Sequence, residues 1–262
     1  MSRVSRGVWI AWAALLALGA ISPVPETPPF PPEQMPAAIH DAVIAPDRPD
    51  ADRALDAGRQ PEQMLAFFAV APGMQVADLY AGGGYTTELL ARVVGPKGKV
   101  YSQEPIFPPE LQQIEKAWTE RLTRPALANV VAVHKAMTDD FLPVPPGSLN
   151  LVVINMNYHD LVLQNLDRDK INAAVFLALR PGGLYGIVDH SAKPGSGPES
   201  LQLHRIDQAF LTQEVEKAGF KLLAASSALR NPNDDRSWST SPRVAGEKRG
   251  TSDRFMLKFV KP

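Results

Sequence analysis

Gln75-Val-Ala-Asp-Leu-Tyr80 is a short apolar run that gives way to Ala81-Gly-Gly-Gly84. Tyr85 to Val94 follows, with Leu89, Leu90, Val93 and Val94 on one helical face and Gly95 at the expected stop. Strand, glycine turn and helix in that order constrain the chain more than any other segment, because such a unit needs parallel neighbours on which to lay its helix. The neighbours are legible. A helix over about Pro61 to Phe68 comes first, and Lys99 to Gln103 reads as a second strand ending at Glu104. Leu111, Ile114, Trp118 and Leu122 then mark a helical face, Asn129 to Val133 a third strand and Leu151 to Ile154 a fourth. A helix from about Asp169 to Leu179 stops at Arg180-Pro-Gly-Gly183, and Leu184 to Val188 is a fifth strand ending at Asp189-His190. After a helix near Asp207 to Lys217, Phe220 to Ala225 and Arg254 to Val260 are the last strands; lacking a helix between them, they should pair antiparallel. The expectation is an α/β fold with a doubly wound, mostly parallel sheet.

Composition narrows the function. Charge is nearly balanced, 27 Lys+Arg against 28 Asp+Glu, so there is no bulk attraction for a polyanion and nucleic acid is not an expected partner. Zero cysteines exclude disulfides, thiolate metal sites and a cysteine nucleophile. Of 25 prolines, ten lie between Pro23 and Pro61. Ser22 to Pro49 is therefore expected to be a PPII-like arm over the surface, with the domain running from about Asp50 to Pro262. Ahead of it, Arg3 and Arg6 precede an uncharged run of 15 residues, Gly7 to Ile21. That layout reads as a signal peptide or membrane anchor over residues 1–24, and so as an exported (periplasmic) or inner-membrane-anchored protein.

In doubly wound sheets, ligands bind beyond the carboxyl ends of the strands, at a glycine turn followed by a helix N-terminus. Gly82 and Gly84 occupy that turn, and Glu104, 20 residues after Gly84, stands where a carboxylate would accept both hydroxyls of a ribose. Two readings fit, a nicotinamide dinucleotide and S-adenosylmethionine. The dinucleotide turn wants a third small residue where Thr87 stands, and Asp78 beside the turn would repel a pyrophosphate while suiting the cationic amino-acid end of S-adenosylmethionine.

At this point a family resemblance is plain. Val76-Ala-Asp-Leu-Tyr-Ala-Gly-Gly-Gly-Tyr-Thr-Thr87 resembles the first motif of class I S-adenosylmethionine-dependent methyltransferases, and Val100 to Glu104 the second. Leu179-Arg-Pro-Gly-Gly-Leu184 is similar to the turn before their fifth strand. Asn157-Tyr-His-Asp160, Val188-Asp-His-Ser191, Leu203-His-Arg-Ile-Asp207 and Arg249-Gly-Thr-Ser-Asp-Arg-Phe255 narrow the resemblance to a bacterial branch of predicted methyltransferases that often carry signal-like leaders. The resemblance implies seven strands in the order 3-2-1-4-5-7-6. It also implies a methyl-donor site at Asp78, Ala81, Gly82, Gly84 and Glu104, with Tyr85 near enough to touch the donor. Two departures stand out. Tyr80 replaces the first glycine of the turn, and Met137-Thr-Asp-Asp140 is shifted by about one residue from the usual third motif, leaving Thr138 or Asp139 to face the adenine.

Asn157 to Asp160 should leave strand four beside the turn, and Asp189-His190 should leave strand five. Methyl transfer needs an in-line nucleophile and, where the acceptor arrives protonated, a base. His159 is the expected base, with Asp160 or Asp189 orienting the ring and His190 as a second candidate. Tyr158, His204 and Arg205 are expected to bind the substrate, the last two through an anionic group. An alternative uses His159, Asp160, Asp189, His190 and His204 as an N/O metal site, but no pair has helical His-x-x-x-His spacing, so no metal is expected. The reading is thus a methyltransferase acting on a small-molecule or surface acceptor. The rivals are an exported binding protein that keeps fold and ligand without turnover, and an NAD-linked oxidoreductase.

Overall fold

The computed structural model describes residues 24–138 and 140–262. The apolar leader and Asp139 lie outside the described residues. One eight-stranded sheet organises the domain: β1 (Glu26–Thr27), β2 (Gln75–Leu79), β3 (Lys99–Glu104), β4 (Val130–His134), β5 (Leu149–Asn155), β6 (Leu179–His190), β7 (Lys221–Ser226) and β8 (Arg254–Val260). Their spatial order is β1-β7-β8-β6-β5-β2-β3-β4. β8 runs antiparallel to both β6 and β7, and the other pairings are parallel. Leaving out β1, this is the expected seven-strand order. The eighth strand comes from the proline-rich arm, where Glu26 and Thr27 register with Ala225 and Ser226.

The helices are α1 (Ala37–Ile44), α2 (Asp50–Arg59), α3 (Pro61–Phe67), α4 (Tyr85–Val94), α5 (Gln112–Leu122), α6 (Tyr158–Leu163), α7 (Arg168–Ala178) and α8 (Gln208–Lys217). One face of the sheet is covered by residues of α1, α3 and α4, the other by α6, α7 and α8. Among the described residues no helix is long and apolar enough to cross a membrane.

The arm differs from expectation. Residues 37–44 are helix, not PPII, because Pro36 ends the extended stretch and Ile39 and Ala42 then recur at helical spacing. Both are buried against α4 and α3, so the domain's core begins before Asp50. Helix α1 is too short to be stable alone and is held by this packing. Ile39→Ala is therefore expected to cost about 2–4 kcal/mol, read from a shifted urea midpoint at unchanged slope; a change under about 0.5 kcal/mol would mean that the arm is only laid on the surface. One further boundary differs from expectation. β6 starts at Leu179 rather than Leu184, since Leu179 already registers with Leu149 before the Pro-Gly-Gly irregularity.

Candidate active site

A cavity of about 860 Å³ opens beyond the carboxyl ends of β2, β3, β5 and β6, a size within the usual range for small-molecule sites. The glycine turn forms its floor. Tyr80, which replaces the first glycine, keeps the left-handed backbone that glycine adopts freely (φ 55°), at a strain on the order of 1 kcal/mol. Two contacts hold it there: its N–H donates to Gln103 Oε1 at 3.2 Å and its hydroxyl donates to Gln164 Oε1 at 3.1 Å. Ala81, Gly82 and Gly83 line the cavity, and a Cβ on either glycine would meet open space. Gly84 does not line it. It caps α4 at φ 79°, and a Cβ there would come 2.7 Å from Arg121 Cδ, so this glycine serves the helix start and the packing of Arg121.

Glu104 is the sharpest feature of the site. Its side chain lines the cavity yet is wholly buried, and neither carboxylate oxygen has a hydrogen-bond partner among the described residues. Burial, with the charge of Asp78 added, pushes the carboxyl up to about 9, against a smaller opposing pull from the Gly82 amide. A buried carboxylate with both oxygens free is the counterpart of a ligand that brings two donors, as a ribose diol does. Asp78 also lines the cavity, but its Oδ2 already accepts the Thr87 hydroxyl at 2.6 Å, and burial pushes it up to about 7. It ties the end of β2 to α4 while lining the cavity. Tyr85 lines the cavity too, with its hydroxyl on Asp56 at 2.6 Å and the Arg59 guanidinium 4.3 Å over its ring.

The third-motif expectation is not met by the described residues. Thr138 is exposed and outside the cavity, and Asp140 pairs with Lys135. Apolar side chains of Phe107, Leu111 and Ile114 line the cavity instead. Leu111 and Ile114 are only half-buried, which frees them to cover a ligand, whereas Trp118 of the same helix is buried and donates to Ser102.

At the end of β5, α6 begins within three residues, and its first two side chains point in different directions. His159 faces the cavity and Tyr158 the core. His159 Nδ1 lies 2.7 Å from Asp189 Oδ1, and Asp189 also accepts the backbone amides of His159 (2.8 Å) and His190 (2.7 Å). Burial opposes protonation of His159, but Asp189 at Nδ1, aided by Asp160, outweighs it and holds the ring's pKa above the ordinary value. His159 Nε2 points at His204 Nδ1 (3.3 Å) and Asp160 Oδ1 (3.5 Å). His190 also lines the cavity; its Nδ1 is bonded to Ser252 Oγ at 2.8 Å, and burial together with His159 and Arg254 holds it well below the usual range, neutral.

Two substrate-binding expectations are overturned. Tyr158 is fully buried; its hydroxyl donates to Glu214 and accepts from Asn172, because one step along a helix turns a side chain by about 100° away from its neighbour. Arg205 is also fully buried, donating to Ser191 O, Trp238 O and both oxygens of Asp234. It pins the loop between β7 and β8, whose Thr240, Ser241 and Arg243 wall the cavity. Positive charge reaches the cavity instead from Arg59 and Arg254, and from Arg243 and Arg249 at its rim. Burial and the neighbouring Arg59 lower Arg254 to about 10, while its donors meet backbone oxygens of Gly58, Gly250 and Ser252. No spacing in the sequence links two arginines so far apart. Asn155, Asn157 and Gln164 complete the wall between turn and acceptor side; Asn157 Nδ2 donates to Tyr80 O at 2.9 Å.

Strand order and the glycine turn after β2 give the chain the Rossmann-like fold of class I S-adenosylmethionine-dependent methyltransferases. Residues 53–139 match the family model of protein-L-isoaspartate(D-aspartate) O-methyltransferase. A curated relative, arsenite methyltransferase of Halobacterium salinarum, is 33% identical over 124 residues, which is 47% of this chain. The match spans only 29% of that relative's length. Among solved structures, an S-adenosylmethionine-dependent methyltransferase from Aquifex aeolicus superposes with a TM-score of 0.56 at 18% identity, covering 82% of this chain and 99% of the other. An arsenic(III) S-adenosylmethionine methyltransferase from Chlamydomonas reinhardtii gives 0.54 at 18% identity, covering 86% and 73%.

Proposed function

We propose that the protein transfers the methyl group of S-adenosylmethionine to a small-molecule acceptor bound between the glycine turn and His159. The observation that carries this reading is Glu104, whose two free, buried oxygens open on the same cavity as the His159 cluster. When bound, S-adenosylmethionine supplies an electrophilic methyl on a sulfonium. The chain's own part is placement: Glu104 receives the ribose diol, Ala81 to Gly83 let the donor lie on the backbone, and Asp78 meets its cationic end. Across the cavity, His159 is fixed through Nδ1 by Asp189, so that Nε2 meets the acceptor's nucleophilic atom. Arg59, with Arg243 and Arg249 at the rim, suits an anionic group. Two of the matched relatives are named for arsenic, but this chain has no thiol with which to hold so soft a centre, so an oxygen or nitrogen nucleophile fits its pocket better. The basic-then-apolar leader supports an exported or membrane-anchored setting.

Calorimetric titration of S-adenosylmethionine into protein lacking residues 1–23 tests the reading. Micromolar binding is expected, weakened by about 100-fold or more in Glu104→Ala as the ribose loses its charged acceptor. Equal affinity in the variant, or no binding at millimolar donor, would overturn it.

A further inference from the structure

His159 Nε2, His204 Nδ1 and Asp160 Oδ1 form a nearly equilateral triangle with edges of 3.3, 3.5 and 3.5 Å. All three side chains line the acceptor side of the cavity. A triangle of that size has a centre about 2.0 Å from every corner, the length of a Zn–N or Zn–O bond, and its edges are those of one face of a metal-centred tetrahedron. Two further features are those of a metal site. The first ligand is oriented from behind: Asp189 holds His159 Nδ1, which fixes the tautomer and turns the Nε2 lone pair to the cavity. Asp189 is itself fixed by two backbone amides. Among the described residues no fourth histidine, aspartate or glutamate joins the triangle, and the open cavity lies beside it, the arrangement of a site that keeps a position for water or substrate.

We propose that His159, Asp160 and His204 bind one divalent transition-metal ion, of the zinc type, whose open position takes the acceptor's nucleophilic oxygen. Two imidazoles and one carboxylate favour such an ion over Mg²⁺ or Ca²⁺, which prefer all-oxygen shells. The inference rests on the methyltransferase reading and deepens it, because His159 then acts as a ligand and the ion takes over acidification of the acceptor. A hydroxyl acceptor on the ion loses its proton to solvent, as a metal-bound water does. An oxygen lone pair then forms the new bond to the methyl carbon, while the carbon–sulfur bond breaks and leaves its pair on a neutral thioether. His190 is not part of the set, since its Nδ1 is held by Ser252 and its ring centre lies 5.9 Å from that of His159.

The test is zinc binding by the chain without donor. Chelator-treated protein is titrated with Zn²⁺ against a chromogenic competitor, with Co²⁺ absorption as a second readout. One ion per chain at micromolar or tighter affinity is expected, with the intense visible bands of a four-coordinate Co²⁺ site. His204→Ala and Asp160→Ala, both at partly exposed positions, should each weaken Zn²⁺ by about 50-fold or more with melting temperatures within about 3 °C of the parent. His40→Ala, at an exposed histidine paired with Glu62 far from the cavity, should leave binding unchanged. Substoichiometric zinc, or affinity that His204→Ala and Asp160→Ala do not alter, would overturn the metal site. Donor titration is read separately, so a failed metal site and a failed methyltransferase reading give different results.

Discussion

Glu104→Gln is expected to raise the melting temperature of the unliganded protein at pH 8 while abolishing tight binding of the donor. The sign follows from the carboxyl's pKa of about 9 in the folded protein against about 4.3 for an unfolded Glu. Below the unfolded value both states hold the proton and nothing is lost. As pH climbs from about 4 toward 9, the unfolded chain ionises freely while the folded one must keep the proton, so stability falls throughout that window. The loss near pH 8 is on the order of several kcal/mol, and a glutamine escapes it. At pH 5 the two proteins should differ little, and Asp78, raised to about 7 by burial, should leave a weaker slope of the same sign in the variant. Scanning calorimetry at both pH values decides the matter. A variant that melts below the parent at pH 8 would remove the buried-acid account. Since the ribose diol needs ionised Glu104 and the cationic end needs ionised Asp78, donor binding should also release one proton and a further fraction at neutral pH, measurable by titration in buffers of different ionisation enthalpy.

The second large effect lies in the loop between β7 and β8. Arg205→Ala is expected to lose about 3–5 kcal/mol, because it strands the Asp234 carboxylate, whose side chain is 1% exposed, without its charged partner. The stacking of Arg205 on Trp238, with 4.8 Å from guanidinium to ring centre, goes with it. The segment from Asn231 to Asp253 should then become susceptible to limited proteolysis, and the cavity should lose its Thr240 to Arg243 wall. A paired Arg205→Met, Asp234→Leu change should recover most of the stability, since replacing both charges leaves none unpaired. Retained protease resistance in Arg205→Ala would mean that the loop is held by the Asp253 contacts to Arg230, Arg236 and Asn231 instead.

Much of the donor half was legible because it obeys local rules. The span of α4, the end of β3 at Glu104 and the antiparallel last strand follow from periodicity, a glycine stop and chain length. The acceptor half follows different rules. Tyr158 and His159 are neighbours in sequence but occupy opposite sides of α6, and only the packing of α6 on α7 and α8 decides which one enters the core. Arg205 reads as an exposed cation until Asp234, far along the chain, is folded against it. Arg59 and Arg254 meet across the whole length of the domain, with no spacing to announce it. The prolines of the arm suggest an extended chain, but Pro36 stands at the start of a helix that runs on to Ile44.

The two-residue strand in that arm has a consequence for the isolated domain. β7 would otherwise finish the sheet with a free row of backbone donors and acceptors, beside an exposed Leu223, and such an edge is a template on which another chain can add. Glu26 and Thr27 occupy part of that row, the Thr27 hydroxyl donates to Ala225 O, and Glu26 is tied down by Arg230. Glu26 and Thr27 thus cover part of an edge on which another chain could add, and a truncation that removes them should promote self-association of the domain.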